Sequence, residues 1–202
     1  MIENKEKRII VFGGSFNPPH NGHVLLIRDT LKHIKCDKAL IIPSADRRDK
    51  VIQISGDQRL TMVRMMVAEC LSDLNVSVEV SDTELLRNKP TTTFDTKCEL
   101  EEQYPDSIIY FVGGTDAIGE VREKWVHGED LYKNGNFIAF PRAGVPTPKE
   151  LPLHTIILKP EEVGAWELSS TSIRQMIQKG ESIDTLVPKS IVTHIYKNHL
   201  YV

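Results

Sequence analysis

A chain of 202 residues, 40% apolar and 26% charged, has the size and mix of one globular domain, which excludes a disordered or fibrous protein. Its 25 Lys and Arg against 28 Asp and Glu leave a net charge of −3, which excludes a broad basic face for duplex nucleic acid but not a local basic pocket. No stretch approaches the ~18 uninterrupted apolar residues that a membrane span needs.

In chain order, Arg8 to Phe12 (RIIVF) is β-branched and apolar and ends in Gly13-Gly14, which predicts a buried strand. A helix follows from Gly22, with Val24, Ile27, Leu31 and Ile34 at spacings of three to four. Ala39 to Ile42 is a second strand stopped by Pro43, and the polar stretch Ser44 to Asp57 reads as a loop. Leu60, Val63, Val67, Cys70 and Leu74 trace one face of a second helix. Val76 to Val80 is a third strand, and Asp95 to Tyr104 a third helix ended before Pro105. Ile108 to Val112, closed by Gly113-Gly114, is a fourth strand; Phe137 to Phe140, stopped by Pro141, is a fifth; Ile156 to Leu158 is a sixth. Pro141 to Pro152 reads as a surface connection between the last two. Ser170 to Gln178 is a helix with Gly180 past its end, and a last helix starts near Pro188 and holds Ile191 to Tyr196. Apolar strands separated by helices predict an α/β fold, a doubly wound parallel sheet covered on both faces. No repeat, low-complexity tract or linker interrupts it, so residues 1–202 read as a single domain. Cys36, Cys70 and Cys98 are far apart and include no C-x-x-C, which argues against disulfides and a zinc site and fits a reducing cytoplasm. The charged start, Met1 to Lys5, carries no apolar leader and agrees with that placement.

Doubly wound sheets bind ligands beyond the carboxyl ends of their strands. The first such end carries Gly13-Gly14-Ser15-Phe16-Asn17-Pro18-Pro19-His20-Asn21-Gly22-His23. The glycines permit positive φ and close approach of a ligand to the backbone, and the two prolines stiffen the turn. His20 and His23, three apart at a helix start, lie on one side of the first turn, where the N-terminal N–H groups and dipole also favour an anion. The segment is neither G-x-G-x-x-G nor G-x-x-x-x-G-K-[ST], and two surface histidines or half of a metal site are its alternatives. Near the other end, Ser169, Ser170 and Thr171 precede Arg174: hydroxyls able to cap a helix, and a guanidinium one turn inside, form a second anion site. An ordinary capped helix with a solvent-facing Arg is the alternative there.

The first segment resembles the G-x-F-x-P-x-H-x-G-H signature of the nucleotidylyltransferase superfamily, in the form of the bacterial nicotinate-nucleotide adenylyltransferases. Leu168-Ser169-Ser170-Thr171-Ser172-Ile173-Arg174 is similar to that family's S-S-T-x-I-R motif, in the expected order and roughly 150 residues on. The resemblance implies that His20, His23 and Arg174 are catalytic contacts to the ATP phosphates. It implies an ATP site lined by Gly13, Gly14, Ser15, Phe16, Gly22, Ser169, Ser170 and Thr171. Asn17 stands where the bacterial enzymes usually have Asp. Phe111-Val112-Gly113-Gly114-Thr115-Asp116 is similar to the family strand ending in G-x-D, which places Gly114 at the nucleotide and Asp116 on a ribose, although Asp116 can also be read as a helix cap. Thr91 to Thr96 resembles the family's S-Y-T-x-D-T stretch, with Thr93 and Asp95 matching and Thr92 in place of Tyr. Lys124 to Leu131 resembles W-x-x-W-x-x-L; Trp125 would stack on the pyridine ring, or else belong to the core, and Gly128 replaces the second Trp. Pro141-Arg142 matches the family P-R, so Arg142 either binds phosphate or is a surface residue. After the second strand the family's P-P-H-K is lost; Lys50 is the counterpart of its Lys, with Arg47 and Arg48 as added charges.

The activity so implied is transfer of adenylate from ATP to nicotinic acid mononucleotide, giving deamido-NAD and pyrophosphate, with Mg²⁺ held largely by ATP and water. The implied partners are ATP and a pyridine mononucleotide, without nucleic acid or membrane, and a homo-oligomer stays open. The rival readings are an adenylyltransferase that prefers nicotinamide mononucleotide or another phosphorylated acceptor, and a nucleotide-binding regulator on the same fold.

Overall fold

The fold is that of a computed structural model, which describes residues 6–45, 52–87, 90–142, 144–159 and 168–202. The strands are β1 (Lys7–Gly14), β2 (Lys38–Pro43), β3 (Ser77–Val80), β4 (Ser107–Gly114), β5 (Asn136–Phe140) and β6 (His154–Ile157). They form one six-stranded sheet in the order β3-β2-β1-β4-β5-β6, with parallel pairing at every step. The helices are α1 (Asn21–His33), α2 (Gly56–Cys70), α3 (Thr83–Leu86), α4 (Thr93–Gln103), α5 (Thr115–Gly119), α6 (Val121–Lys124), α7 (Gly128–Asn134), α8 (Ser170–Gln178) and α9 (Lys189–Lys197).

Strand alternation divides the core in two. Ile10, Phe12, Ala39 and Ile41 face a layer built from α1, α2, α8 and α9, which contributes Ile27, Met62, Ile173 and Ile191. Ile9, Val11, Leu40, Ile42, Ile109 and Phe111 face the opposite layer, where α4 to α7 supply Leu100, Ile118, Val121 and Leu131. Burial on both faces is why the strands read as continuous apolar runs. The doubly wound parallel α/β sheet expected from the sequence is therefore present.

The strand order reverses between β1 and β4, so their carboxyl ends, Gly14 and Gly114, border the crevice where such sheets bind ligands. The chain returns to the first face after β6, and α8 arrives beside the end of β1. Among the described residues no helix is long and apolar enough to cross a membrane.

Several boundaries differ from the sequence expectation. The second helix ends at Cys70, with Leu71 as its cap, so Leu74 lies outside it. The sixth strand is His154–Ile157 rather than 156–158, because β6 pairs from Asn136↔His154 to Ala139↔Ile157 and Leu158 bonds Ala139 O only after the strand ends.

Candidate active site

The segment 13–23 turns from β1 into α1 differently from the sequence reading. Neither Gly13 nor Gly14 has positive φ; the left-handed residue of the turn is Phe16, at φ 45°. Both glycines instead extend β1, paired with Ile42 and Pro43. Their small size matters in another way: among the described residues a Cβ at Gly13 would meet nothing within 4 Å, which leaves room for a ligand to approach the strand end. Phe16 is buried and its ring lies 4.8 Å from that of His23.

Three carbonyls of this turn are held by side chains from two elements, α2 and α8. Arg59 of α2, fully buried, donates from Nη1 to Ser15 O at 2.9 Å. Arg174 of α8 donates from Nη1 to Asn17 O at 2.8 Å, and Ser170 Oγ donates to Pro18 O at 2.8 Å. Asn21 at the start of α1 is tied by N–H to Leu186 O and by its side-chain amide to Thr185 O, both at 2.9 Å. One N–H of this helix start is therefore already used. The two sequence segments about 150 residues apart thus form one structural unit.

His20 is buried, and its ring lies 3.8 Å from that of His23. His23 Nδ1 accepts the backbone N–H of His20 at 3.1 Å. A neutral imidazole accepting at Nδ1 carries its proton on Nε2, so His23 presents an Nε2–H donor. Burial pushes His20 down to about 4 from the usual 6.5. Burial, then the neighbouring His20, holds His23 well below that range too. Both rings are neutral near pH 7 and act as hydrogen-bond donors or acceptors, not as fixed cations. Gly22 makes this packing feasible: a Cβ there would stand 3.0 Å from His20 Nδ1.

At α8 the N-cap is Ser169, whose Oγ accepts the Ser172 N–H at 3.1 Å. Ser170 reaches the turn instead, and Thr171 Oγ1 accepts from Arg174 Nη2 at 3.3 Å. The Arg174 guanidinium carries five N–H donors, so its bonds to Asn17 and Thr171 leave capacity for an anion.

Across the crevice, Asp116 does not cap α5 with its side chain. Its Oδ2 pairs with Arg142 Nη1 at 3.1 Å, and its Oδ1 is buried with no partner among the described residues. The two residues expected on different ligands are therefore joined, and Arg142 is an exposed partner of that carboxylate. Gly114 leaves room for it, since a Cβ would stand 2.4 Å from Asp116 Oδ1.

Thr93 is the first residue of α4, whose cap is a reciprocal pair: Thr92 Oγ1 accepts the Asp95 N–H and Asp95 Oδ2 accepts the Thr92 N–H, each at 3.1 Å. Trp125 is half-buried and meets Phe137 edge-on at 6.2 Å, so one side packs on the core. Phe94 stacks on His127 at 4.1 Å, which joins the start of α4 to the Trp125 segment. His127 is left-handed (φ 55°), and at Gly128 a Cβ would come within 2.2 Å of Val121 O. No second tryptophan fits on this backbone. Lys50, Arg47 and Arg48 lie outside the described residues. Arg59 and Tyr201 join the site without a sequence motif, whereas Phe94 and His127 lie within the Thr91 to Thr96 and Lys124 to Leu131 segments at positions those patterns leave unspecified.

The chain matches the cytidylyltransferase-like family over residues 11–176. It is 34% identical over 207 residues to a Carboxydothermus hydrogenoformans protein named "Probable nicotinate-nucleotide adenylyltransferase", covering 96% of this chain and 98% of that one. A Thermus thermophilus protein of the same name is 34% identical over 194 residues, covering 96% and 99%. In three dimensions the chain is similar to the Plasmodium falciparum nicotinic acid mononucleotide adenylyltransferase complexed with NaAD, with a TM-score of 0.79, 20% identity, and coverage of 96% and 97%. At that identity the last likeness speaks for the fold.

Proposed function

Because the chain belongs to the nicotinate-nucleotide adenylyltransferase family, within the cytidylyltransferase-like proteins, we propose that it transfers the adenylyl group of ATP to nicotinic acid mononucleotide. A phosphate oxygen of the mononucleotide attacks the α-phosphorus, the bond from that phosphorus to the bridging oxygen breaks, and pyrophosphate leaves with the electron pair. The nucleophile is already an anion, so the protein needs no general base and forms no covalent intermediate. Its work is positioning and stabilising charge on the transferred group.

The observation that carries this reading is the union of the His20–His23 turn with Arg174 and Ser170 through the Asn17 and Pro18 carbonyls. It gathers an imidazole N–H, hydroxyls and a guanidinium at the open carboxyl end of β1. His23 Nε2–H would donate to an α-phosphate oxygen, and Arg174 with the start of α8 would hold the outer phosphates. Asp116 Oδ1, buried and without a partner among the described residues, is suited to accept ribose hydroxyls. The pyridine ring would lie against Trp125 near Thr93. Magnesium would enter with ATP as part of the substrate, ligated by phosphate oxygens and water. Among the described residues no cluster of three or more His, Cys, Asp or Glu side chains forms a protein cage for it.

The test of the acceptor is a comparison of rates with nicotinic acid mononucleotide, nicotinamide mononucleotide and phosphopantetheine at equal concentration with MgATP. The acid is expected to react fastest. A clear preference for either of the others would overturn the choice of acceptor, and ATP binding without turnover of any would favour the regulator reading.

A further inference from the structure

The penultimate residue of the chain reaches the same turn. Beyond α9, His199 and Tyr201 both adopt left-handed backbone conformations, φ 50° and 68°, which L-residues with a side chain rarely occupy. The reversal is pinned by Leu200 N–H to Ile195 O at 3.0 Å. It carries the Tyr201 ring into the core layer of α1, α2, α8 and α9, where the residue is buried. There the phenol donates to Asn17 Oδ1 at 2.8 Å, a fully buried contact across 184 residues. Asn17 is thereby gripped twice, at its carbonyl by Arg174 and at its side chain by Tyr201. Among the described residues its Nδ2 has no partner, and the Tyr201 bond is the contact that orients the amide.

We propose that Tyr201 is a positioning residue for adenylyl transfer: by fixing the Asn17 amide it sets the turn that delivers His20 and His23 to the phosphates. The proposal rests on the functional reading above. A phenylalanine would fill the same volume and remove only the hydroxyl. Asn17 would then keep a buried oxygen with no donor, and the amide and turn would be free to rotate away from the geometry Arg174 alone holds.

The experiment combines steady-state kinetics with NMR titration of the histidine rings in wild type, Tyr201→Phe, Asn17→Asp and Asn17→Ala. Tyr196→Phe, at an exposed tyrosine of α9, is the control. Tyr201→Phe should lower kcat on the order of tenfold, as a small displacement of reacting groups does, while the KM of the mononucleotide stays near wild type. The His20 titration should move up as the turn loosens and water reaches the ring. Asn17→Asp, which keeps an acceptor oxygen, should retain more kcat than Asn17→Ala, and adding Tyr201→Phe to Asn17→Ala should cost little more. Wild-type kcat and unmoved ring titrations in Tyr201→Phe would overturn the proposal, as would additive losses in the double variant. Should Tyr201→Phe not fold, equal activity of Asn17→Asp and Asn17→Ala would overturn it. Should wild type form no dinucleotide, the functional reading fails on its own, and the ring titrations still decide whether Tyr201 sets the turn.

Discussion

Two imidazoles with centroids 3.8 Å apart, one of them buried, do not take up the second proton that would make them cations at neutral pH. This sets the chemistry at the residue scale. In the proposed reaction the rings would meet phosphate through N–H donors of fixed direction, and the permanent positive charge would come from Arg174. The arrangement has a cost that pH reveals. The folded protein holds His20 at about 4, whereas an unfolded chain holds it near 6.5. Between those values the unfolded state binds the extra proton, so stability falls as pH drops through that window and is retained above it. The gap corresponds to roughly 3 kcal/mol once the pH reaches the lower value. Urea unfolding at pH 7 and pH 5 should show wild type losing about 2 kcal/mol more than His20→Gln. Equal losses in the two proteins would contradict the burial of that ring.

At the scale of elements, the six strands and five longer helices were legible because each is a continuous or periodic apolar run. The short helices α3, α5, α6 and α7 were not, since four to seven residues span too few turns to show a period. On α2 the apolar face was legible, since Leu60 and Val63 are buried and Val67 and Cys70 pack against the core, but its buried cation was not. Arg59 is fully buried beside Met62, Val63 and Met66, and a charged side chain does not enter an apolar pattern. The histidine and serine–arginine motifs were legible as residue types at strand and helix ends. Their junction was not, because it runs through backbone carbonyls and sequence shows no carbonyl directions. Likewise the Gly13-Gly14 pair suggested a left-handed turn, yet Phe16 takes that conformation. Gly128 is the sharpest local constraint. A Cβ would stand 2.2 Å from Val121 O and 2.6 Å from Arg122 O, both backbone atoms that cannot swing aside. Gly128→Ala should therefore destabilise the protein by about 1–3 kcal/mol, as overpacking does, measurable by denaturant unfolding. A neutral substitution would mean that α6 and α7 approach less closely.

For the whole molecule, the order β3-β2-β1-β4-β5-β6 explains why residues from both ends of the chain share one site. The reversal between β1 and β4 opens the crevice, and the return of α8 and α9 to the first face closes its wall. α9 is itself anchored on α2, where Glu69 accepts the Lys189 and Ser190 N–H groups at 3.0 and 2.9 Å. Against some desolvation, the hydrogen bonds capping α9 hold the exposed Glu69 below the usual carboxylate range. The sheet thus supplies rigidity, and α8 brings the charge and hydroxyls that the proposed function assigns to the phosphates. The measurement that tests this account most directly follows pyrophosphate and dinucleotide together from MgATP and nicotinic acid mononucleotide, in wild type and in His23→Ala. Equal amounts of deamido-NAD and pyrophosphate, with turnover reduced about 10²-fold or more in the variant, is the expected result for a donor acting on the transition state. Unchanged turnover in His23→Ala, or phosphate and ADP in place of pyrophosphate, would contradict it.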